Sequence, residues 1–320
     1  MRRVLIVAVL IVAAAMLGLW RSHGGVLNRV VGTSSEGAQG EVRDEIRKSY
    51  QLQPGARLEV QGINGAVAIE TFESDMDARN GAQDARAPGT KKAEVYVVRT
   101  AKSSEALSRR EVIIEQTSDG LLVRGKQARH LGLWEHLFGS NPNEQVTIKA
   151  PRQIALSVRG VNGHVTTGDI DGSLEAKGIN GRVELGQANE FAEIGGINGN
   201  ITVGLRQLSE RGARLSGING NIELRLATGL NADLTARGMN GSVRSEIPDV
   251  AVDKDQYASR YSARIGSGGA PITISGINGN VRLTRGEGPI ADSTSTDKNP
   301  MVGQKAEKSL SESKTFKGEQ

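Results

Sequence analysis

Two pairs of carboxylates come closest to the spacing that catalysis requires. Asp169 and Asp171, and likewise Asp253 and Asp255, are each separated by one residue. Glycoside hydrolysis needs two carboxyl groups at a set distance, one to deliver a proton and one to act as base or nucleophile. Lyase chemistry on polysaccharides instead gathers carboxylates around a metal with a base nearby. The first pair sits in Asp169-Ile170-Asp171-Gly172, where aspartate as a turn-former is sufficient explanation. The second flanks Lys254. His130 and His136 are six apart, a spacing that does not place them on one helical face, so they read as solvated loop histidines. Gly266-Ser267-Gly268-Gly269 lacks the lysine and following helix of a phosphate cradle. The chain has no cysteine, which removes thiolate nucleophiles, disulfides and thiolate zinc sites, and also the lipidated cysteine of a bacterial lipoprotein. No catalytic residue, metal site or cofactor is expected. An extracytoplasmic polysaccharide-active enzyme stands as the alternative.

What organises the chain is a repeat. Gly-apolar-Asn-Gly occurs seven times, beginning at Gly62, Gly160, Gly178, Gly196, Gly217, Gly238 and Gly276. From Gly160 onward the starts step by 18, 18, 21, 21 and 38 residues. Apolar residues stand four and two positions before each copy, as in Leu58/Val60, Leu156/Val158 and Ile272/Ile274. They recur two and four positions after most copies, as in Val67/Ile69, Ile201/Val203 and Val281/Leu283. The residues between are mostly polar or charged, such as Glu184, Thr202, Glu223 and Arg282. Alternation with period two and one apolar face is a half-buried strand. Each unit therefore reads strand, corner, strand.

The alternation changes parity at the corner, so the chain must bend there, and glycine and asparagine tolerate the positive φ such a bend needs. Asn-Gly also favours hairpins, and a stack of hairpins is the rival geometry. Sharing decides for a coil: Leu174 and Ala176 serve both the half-step at Asp169–Gly172 and the corner at Gly178–Gly181. The fold class is accordingly all-β, a single-stack β-solenoid rising about 4.8 Å per coil. In it Ile63, Val161, Ile179, Ile197, Ile218, Met239 and Ile277 form one buried column. Asn64, Asn162, Asn180, Asn198, Asn219, Asn240 and Asn278 form a second, inward-facing column whose amides bond from coil to coil. Each such asparagine is worth about 1–3 kcal/mol if its partner is lost.

The remaining segments sort by composition. Val4 to Trp20 is an unbroken apolar run after Arg2 and Arg3 and before Arg21. It reads as a hydrophobic membrane-anchor helix or a signal peptide over residues 1–20, and either one exports the rest of the chain. Residues 21–46 read as a linker, 47–285 as the solenoid and 286–320 as a disordered polar tail. Glu94–Val98, Glu111–Ile114, Leu121–Val123 and Val146–Ile148 read as divergent coils, Ser103–Arg110 as a short helix, and Ile247–Gly269 as an insertion. In Arg129–Gly139, Leu133, Trp134, Leu137 and Phe138 share one face if the piece is helical. They read as a cap over an open solenoid end or as a contact surface for a partner or membrane. The outward column after each corner (Ala66, His164, Arg182, Asn200, Asn221, Ser242 and Asn280) is ordinary surface, with a ligand-facing stripe as the sharper reading.

The seven Gly-apolar-Asn-Gly units, the N-terminal apolar run and the lone early copy at Gly62 resemble the bacterial putative-adhesin family, also called the toastrack domain. The resemblance spans roughly residues 47–285. It implies a single-sided β-solenoid facing the cell envelope, beside envelope-stress systems in some members, with no catalytic residues to carry over. The functional expectation is a non-enzymatic, adhesin-like binding or scaffold module held outside the cytoplasm at the cell membrane, with a component of envelope-stress sensing as a second alternative. Expected partners are the membrane, through the N-terminal segment, and an envelope protein or a cell-wall or surface glycan. Open strand edges leave self-association as a further mode. Nucleic acid is not expected: 40 Lys+Arg against 36 Asp+Glu gives a formal net charge of only +4, without interleaved aromatics.

Overall fold

The computed structural model describes residues 41–73, 91–127, 142–255 and 260–286. The apolar run at Val4–Trp20, the segment carrying Trp134, Leu137 and Phe138, both histidines of the 130–136 stretch and the polar tail lie outside these residues. Among the described residues, no helix is long and apolar enough to cross a membrane.

The described residues are mostly strand. In order come β1 (Val42–Leu52), β2 (Arg57–Gln61), β3 (Val67–Phe72), β4 (Lys91–Ala101), the short helix α1 (Ser104–Ser108), β5 (Arg110–Gln116), β6 (Gly120–Gln127) and β7 (Asn143–Pro151). Next are β8 (Ala155–Arg159), β9 (Val165–Thr167), β10 (Leu174–Lys177), β11 (Val183–Ala188), β12 (Ala192–Asn198), β13 (Ile201–Leu205), β14 (Ala213–Asn219) and β15 (Ile222–Leu226). The last are β16 (Ala232–Asn240), β17 (Val243–Ser245), β18 (Val252–Asp255), β19 (Arg260–Ile265), β20 (Ala270–Asn278) and β21 (Val281–Arg285). Strand β1 begins inside the stretch read from sequence as linker.

Each repeat contributes one strand to each of two sheets. The strand before a corner joins a sheet ordered β18-β19-β16-β20-β14-β12-β10-β8-β2-β6-β5, and the strand after it joins one ordered β1-β4-β7-β3-β9-β11-β13-β15-β21-β17. All repeat strands pair in parallel, which only a coil can achieve; hairpins would pair antiparallel. Apolar residues meet in register, so Leu174 lies between Leu156 and Ala192, and Leu224 between Val203 and Leu283. The two inner faces close on one continuous apolar core.

Coil order departs from sequence order. The copy at Gly276 stacks between those at Gly217 and Gly238, because β20 pairs with both β14 and β16, and β21 with both β15 and β17. Residues 247–269 are therefore not an insertion between successive coils. They place Ile247 and Val250 in the core, lay β19 antiparallel beside β16 and pair β18 antiparallel with the far side of β19. The chain then crosses over β16 at Gly266–Gly269, where Asn231 Oδ1 accepts the Ser267 N–H (2.9 Å) and Asp233 accepts the Gly269 N–H (3.0 Å).

The segments between the first and second copies also differ from a run of divergent coils. Strands β6 and β7 do form a coil, parallel to β2 and β3. Strand β5 instead runs antiparallel to β6, and β1 and β4 run antiparallel beyond β7. They cover the exposed edge that a stack of parallel coils otherwise leaves open.

Candidate functional site

The seven corners share one geometry. At the first glycine φ lies between 60 and 65°, the left-handed region where a side chain is strained. The second glycine is required for a different reason. A Cβ on Gly163, Gly181, Gly199, Gly220 or Gly279 would run into the carbonyl oxygen of the matching glycine in the neighbouring coil. The apolar residue between them points inward: Ile63, Val161, Ile179, Ile197, Ile218 and Ile277 are each 1% exposed. Met239 is only partly buried, since its coil is the last in the stack.

The asparagines do not point inward, as the sequence reading expected. Each follows an inward residue in extended backbone, so period two turns it to the outside, and six of the seven are exposed. They nonetheless form an uninterrupted ladder. Nδ2 of Asn162 donates to Oδ1 of Asn64 (3.0 Å), Asn180 to Asn162 (3.1 Å), Asn198 to Asn180 (3.1 Å) and Asn219 to Asn198 (3.1 Å). The series continues in spatial order, with Asn278 donating to Asn219 (3.0 Å) and Asn240 to Asn278 (2.9 Å).

One end of this ladder is finished by a device that sequence reasoning missed. The β6–β7 coil has no Gly-apolar-Asn-Gly corner. Asn64 Nδ2 donates instead to the Pro142 carbonyl (2.9 Å), and the Asn64 N–H donates to the Glu144 carboxylate (2.9 Å). In the repeats that N–H meets the carbonyl of the neighbouring apolar corner residue, as Asn162 meets Ile63 (2.9 Å). Glu144 is 0% exposed and is paired with Arg110 of β5 (3.0 Å), whose guanidinium also donates to the Gly62 carbonyl. In the sequence only an acid two residues after a proline, at the start of an apolar-alternating strand, hints at this.

The carboxylate pairs are occupied or unfocused. Asp169 is 6% exposed, accepts the Gln187 N–H (2.8 Å) and sits between Arg206 (3.1 Å) and Arg152 (3.4 Å). Asp171 accepts from Asn189 Nδ2 (2.7 Å). Bound this way, the pair clamps the turn opposite the corners. Asp253 lies on β18, the outermost strand of its sheet. Among the described residues, no three His, Asp or Glu side chains group as metal ligands.

Two outer surfaces remain. On the β8–β10–β12 side, Arg159 pairs with Glu175 (2.6 Å), and Lys177 bridges Glu175 (3.0 Å) and Glu193 (2.8 Å). Burial works to raise the Glu175 carboxyl, but hydrogen bonds and charge from Arg159 and Lys177 outweigh it and hold it below the usual range. Lys177 is raised, by Glu193 first and then Glu175. This face is spent on its own ion pairs. The opposite sheet carries a shallow trough of about 440 Å³ across β11, β13, β15 and β21, lined by Arg182, Glu184, Asn200, Asn221, Glu223 and Arg282 among others. Here the asparagine oxygens are tied down: Asn200 Oδ1 accepts the Asn221 N–H, and Asn221 Oδ1 accepts the Asn280 N–H, each at 3.0 Å. The Nδ2 groups of Asn200 and Asn221 are thereby turned outward, with no acceptor among the described residues. Within the outward column past the corners, Asn200 and Asn221 thus become a pair of oriented amide donors on adjacent coils beside carboxylates and arginines, while Asn280 Nδ2 turns back to Asn221 Oδ1 (3.5 Å).

No protein-family model and no curated protein matches this sequence. Among solved structures, the chain is similar to a putative cell adhesion protein from Clostridium sporogenes, at 11% identity and a TM-score of 0.37, over 76% of this chain and 100% of that one. It is also similar to a putative adhesin from Bacteroides fragilis, at 10% identity and a TM-score of 0.31, over 75% and 97% of the two chains. A putative adhesin from Parabacteroides merdae matches at 11% identity and a TM-score of 0.23, over 75% and 96%.

Proposed function

We propose that this chain is a non-enzymatic, adhesin-like binding module, held at the outside of the cell membrane by its N-terminal apolar run, whose contact surface is the trough on β11–β13–β15–β21. The observation that carries this reading is the repeated donor set. Amide Nδ2 groups on adjacent coils stand about 4.8 Å apart on a backbone whose spacing is fixed by the strand ladder, with Glu184 and Thr202 as acceptors and Arg182 and Arg282 at the ends. Such a pair of amides flanked by arginines suits a ligand that offers hydroxyl and carboxylate groups a few ångströms apart, as a cell-wall or surface glycan does. It costs little to present, because these side chains are already ordered by main-chain hydrogen bonds. The commitment of Asp169 and Asp171 to arginines supports a binding role over hydrolysis.

The test is covalent cross-linking in intact cells followed by mass spectrometry of the co-purifying material, comparing the native chain with an Asn200→Leu/Asn221→Leu pair. Loss of the co-purifying glycan from a variant that reaches the membrane normally supports the trough. Equal recovery from both chains refutes it. Recovery of an envelope protein in place of glycan would replace the ligand class and favour a scaffold role.

A further inference from the structure

We propose that Asn240–Gly241, the last corner of the stack, is the position at which this chain is first modified, by spontaneous loss of its side-chain amide. All seven corners carry the same Asn-Gly dipeptide behind a first glycine at φ 60–65°, so sequence chemistry does not distinguish them. The stack does. The reaction begins when the glycine amide nitrogen gives up its proton to solvent base and attacks the asparagine Cγ. A C–N bond forms, the bond from Cγ to Nδ2 breaks, and ammonia leaves. Water then opens the cyclic imide at either carbonyl, giving aspartate or isoaspartate, with no oxidant or reductant involved.

An N–H that is donating to a carbonyl must lose that bond before it can react. The N–H groups of Gly181, Gly199, Gly220 and Gly279 each donate to the main-chain carbonyl of the next asparagine in the stack, those of Asn198, Asn219, Asn278 and Asn240, all at 3.0 Å. Gly65 and Gly163 make no such bond among the described residues, but the side-chain amides of Asn64 and Asn162 are each held at both the oxygen and the nitrogen. Gly241 belongs to the coil of β16 and β17, and β17 ends its sheet, so among the described residues no further corner receives its N–H. Asn240 Oδ1 likewise has no asparagine donor beyond it, while its Nδ2 still donates to Asn278 (2.9 Å). The product reverses that last contact. A carboxylate at this position cannot donate to the Asn278 oxygen and instead opposes it, so the modification loosens the terminal coil and wears the stack from one end.

The experiment incubates the purified full-length chain in mildly alkaline buffer and tracks each Asn-Gly peptide by mass spectrometry, with a parallel sample in denaturant. In the folded chain Asn240 is expected to convert about tenfold faster than Asn180, Asn198, Asn219 or Asn278, the ratio that corresponds to one backbone hydrogen bond of about 1.4 kcal/mol. In denaturant the corners should convert at similar rates. Equal rates in the folded chain, or a faster interior corner, would overturn the proposal. So would a lead for Asn240 that persists in denaturant, since the cause would then be local sequence. Asn240→Asp mimics one product and should melt below the native chain; an unchanged melting temperature would remove the structural consequence.

Discussion

The stacking of the Gly276 copy between those at Gly217 and Gly238 can be tested with paired cysteines, in a chain that has none of its own. Glu223 on β15 faces Arg282 on β21 in register, and Arg282 faces Arg244 on β17. Neighbouring strands are about 4.8 Å apart, within the Cα separation a disulfide accepts, whereas β15 and β17 are two spacings or about 9.6 Å apart, beyond it. Glu223→Cys with Arg282→Cys should therefore oxidise to an internal bridge, as should Arg282→Cys with Arg244→Cys. Glu223→Cys with Arg244→Cys should not. All three side chains are at or near the surface; Glu223 pairs with Arg225 (3.0 Å) and accepts from Thr284 (3.5 Å), and Arg282 holds an exposed pair with Glu246 (3.4 Å), so the replacements leave folding intact. The first bridge closes a loop of about 60 residues, worth up to about 4 kcal/mol on the loop-entropy relation and visible as a raised melting temperature. Non-reducing electrophoresis and peptide mass spectrometry read the outcome. If coils stacked in sequence order, Glu223 would sit beside Arg244, and the outcomes of the 223/244 and 223/282 pairs would exchange. A bridge between Cys residues at 223 and 244, without one between 223 and 282, would refute the topology.

Thermal melts separate the columns. Ile218→Asp puts a carboxylate at a 1%-exposed position and should cost more than about 4 kcal/mol, Asn219→Ala about 1–2 kcal/mol through its two ladder bonds, and Glu223→Ala within about 0.5 kcal/mol. Equal melting temperatures for the first and last would contradict the inward column. Glu144→Ala leaves Arg110 without its ion-pair partner and the Asn64 N–H without its acceptor, and should cost about 3–5 kcal/mol by chemical denaturation. A loss below about 1 kcal/mol would mean that the pair is not what finishes the ladder. Acid should release the stability that Glu175 supplies. Its folded pKa is lowered, so the contribution is present above the unfolded carboxylate value and is lost as pH falls through the folded one. Glu175→Gln should flatten the acid limb of the melting-temperature profile by an amount typical of surface pairs, about 0.2–1 kcal/mol, and an unchanged limb would assign the slope to other carboxylates.

Local chemistry was legible throughout. The period-two alternation on either side of each Gly-apolar-Asn-Gly unit identified the strands and their inward residues, because alternation depends only on the neighbours along the chain. The glycines announced the corner for the same reason. The sequence reading went astray at the asparagines, although the signal was present: a residue placed directly after an inward one in extended backbone must point outward. Nor does alternation separate the antiparallel β1, β4 and β5 from linker or from coils of the stack. A strand's pattern tells which face is buried and says nothing about whether its neighbour runs parallel or antiparallel.

The sequence by itself determined the repeating unit, its corner, its core column and the absence of thiol chemistry. Tertiary structure alone decided which coil lies on which, how the ends are closed, and which outward column keeps donors to spare. The reason is the repeat itself. Seven copies with the same inward column and the same corner can stack on one another in any order at nearly equal energy. The order is then selected by what is not repeated: the excursion through Ile247, Val250, β18 and β19 that returns β20 to the interior, and the Arg110–Glu144 pair that closes the other end.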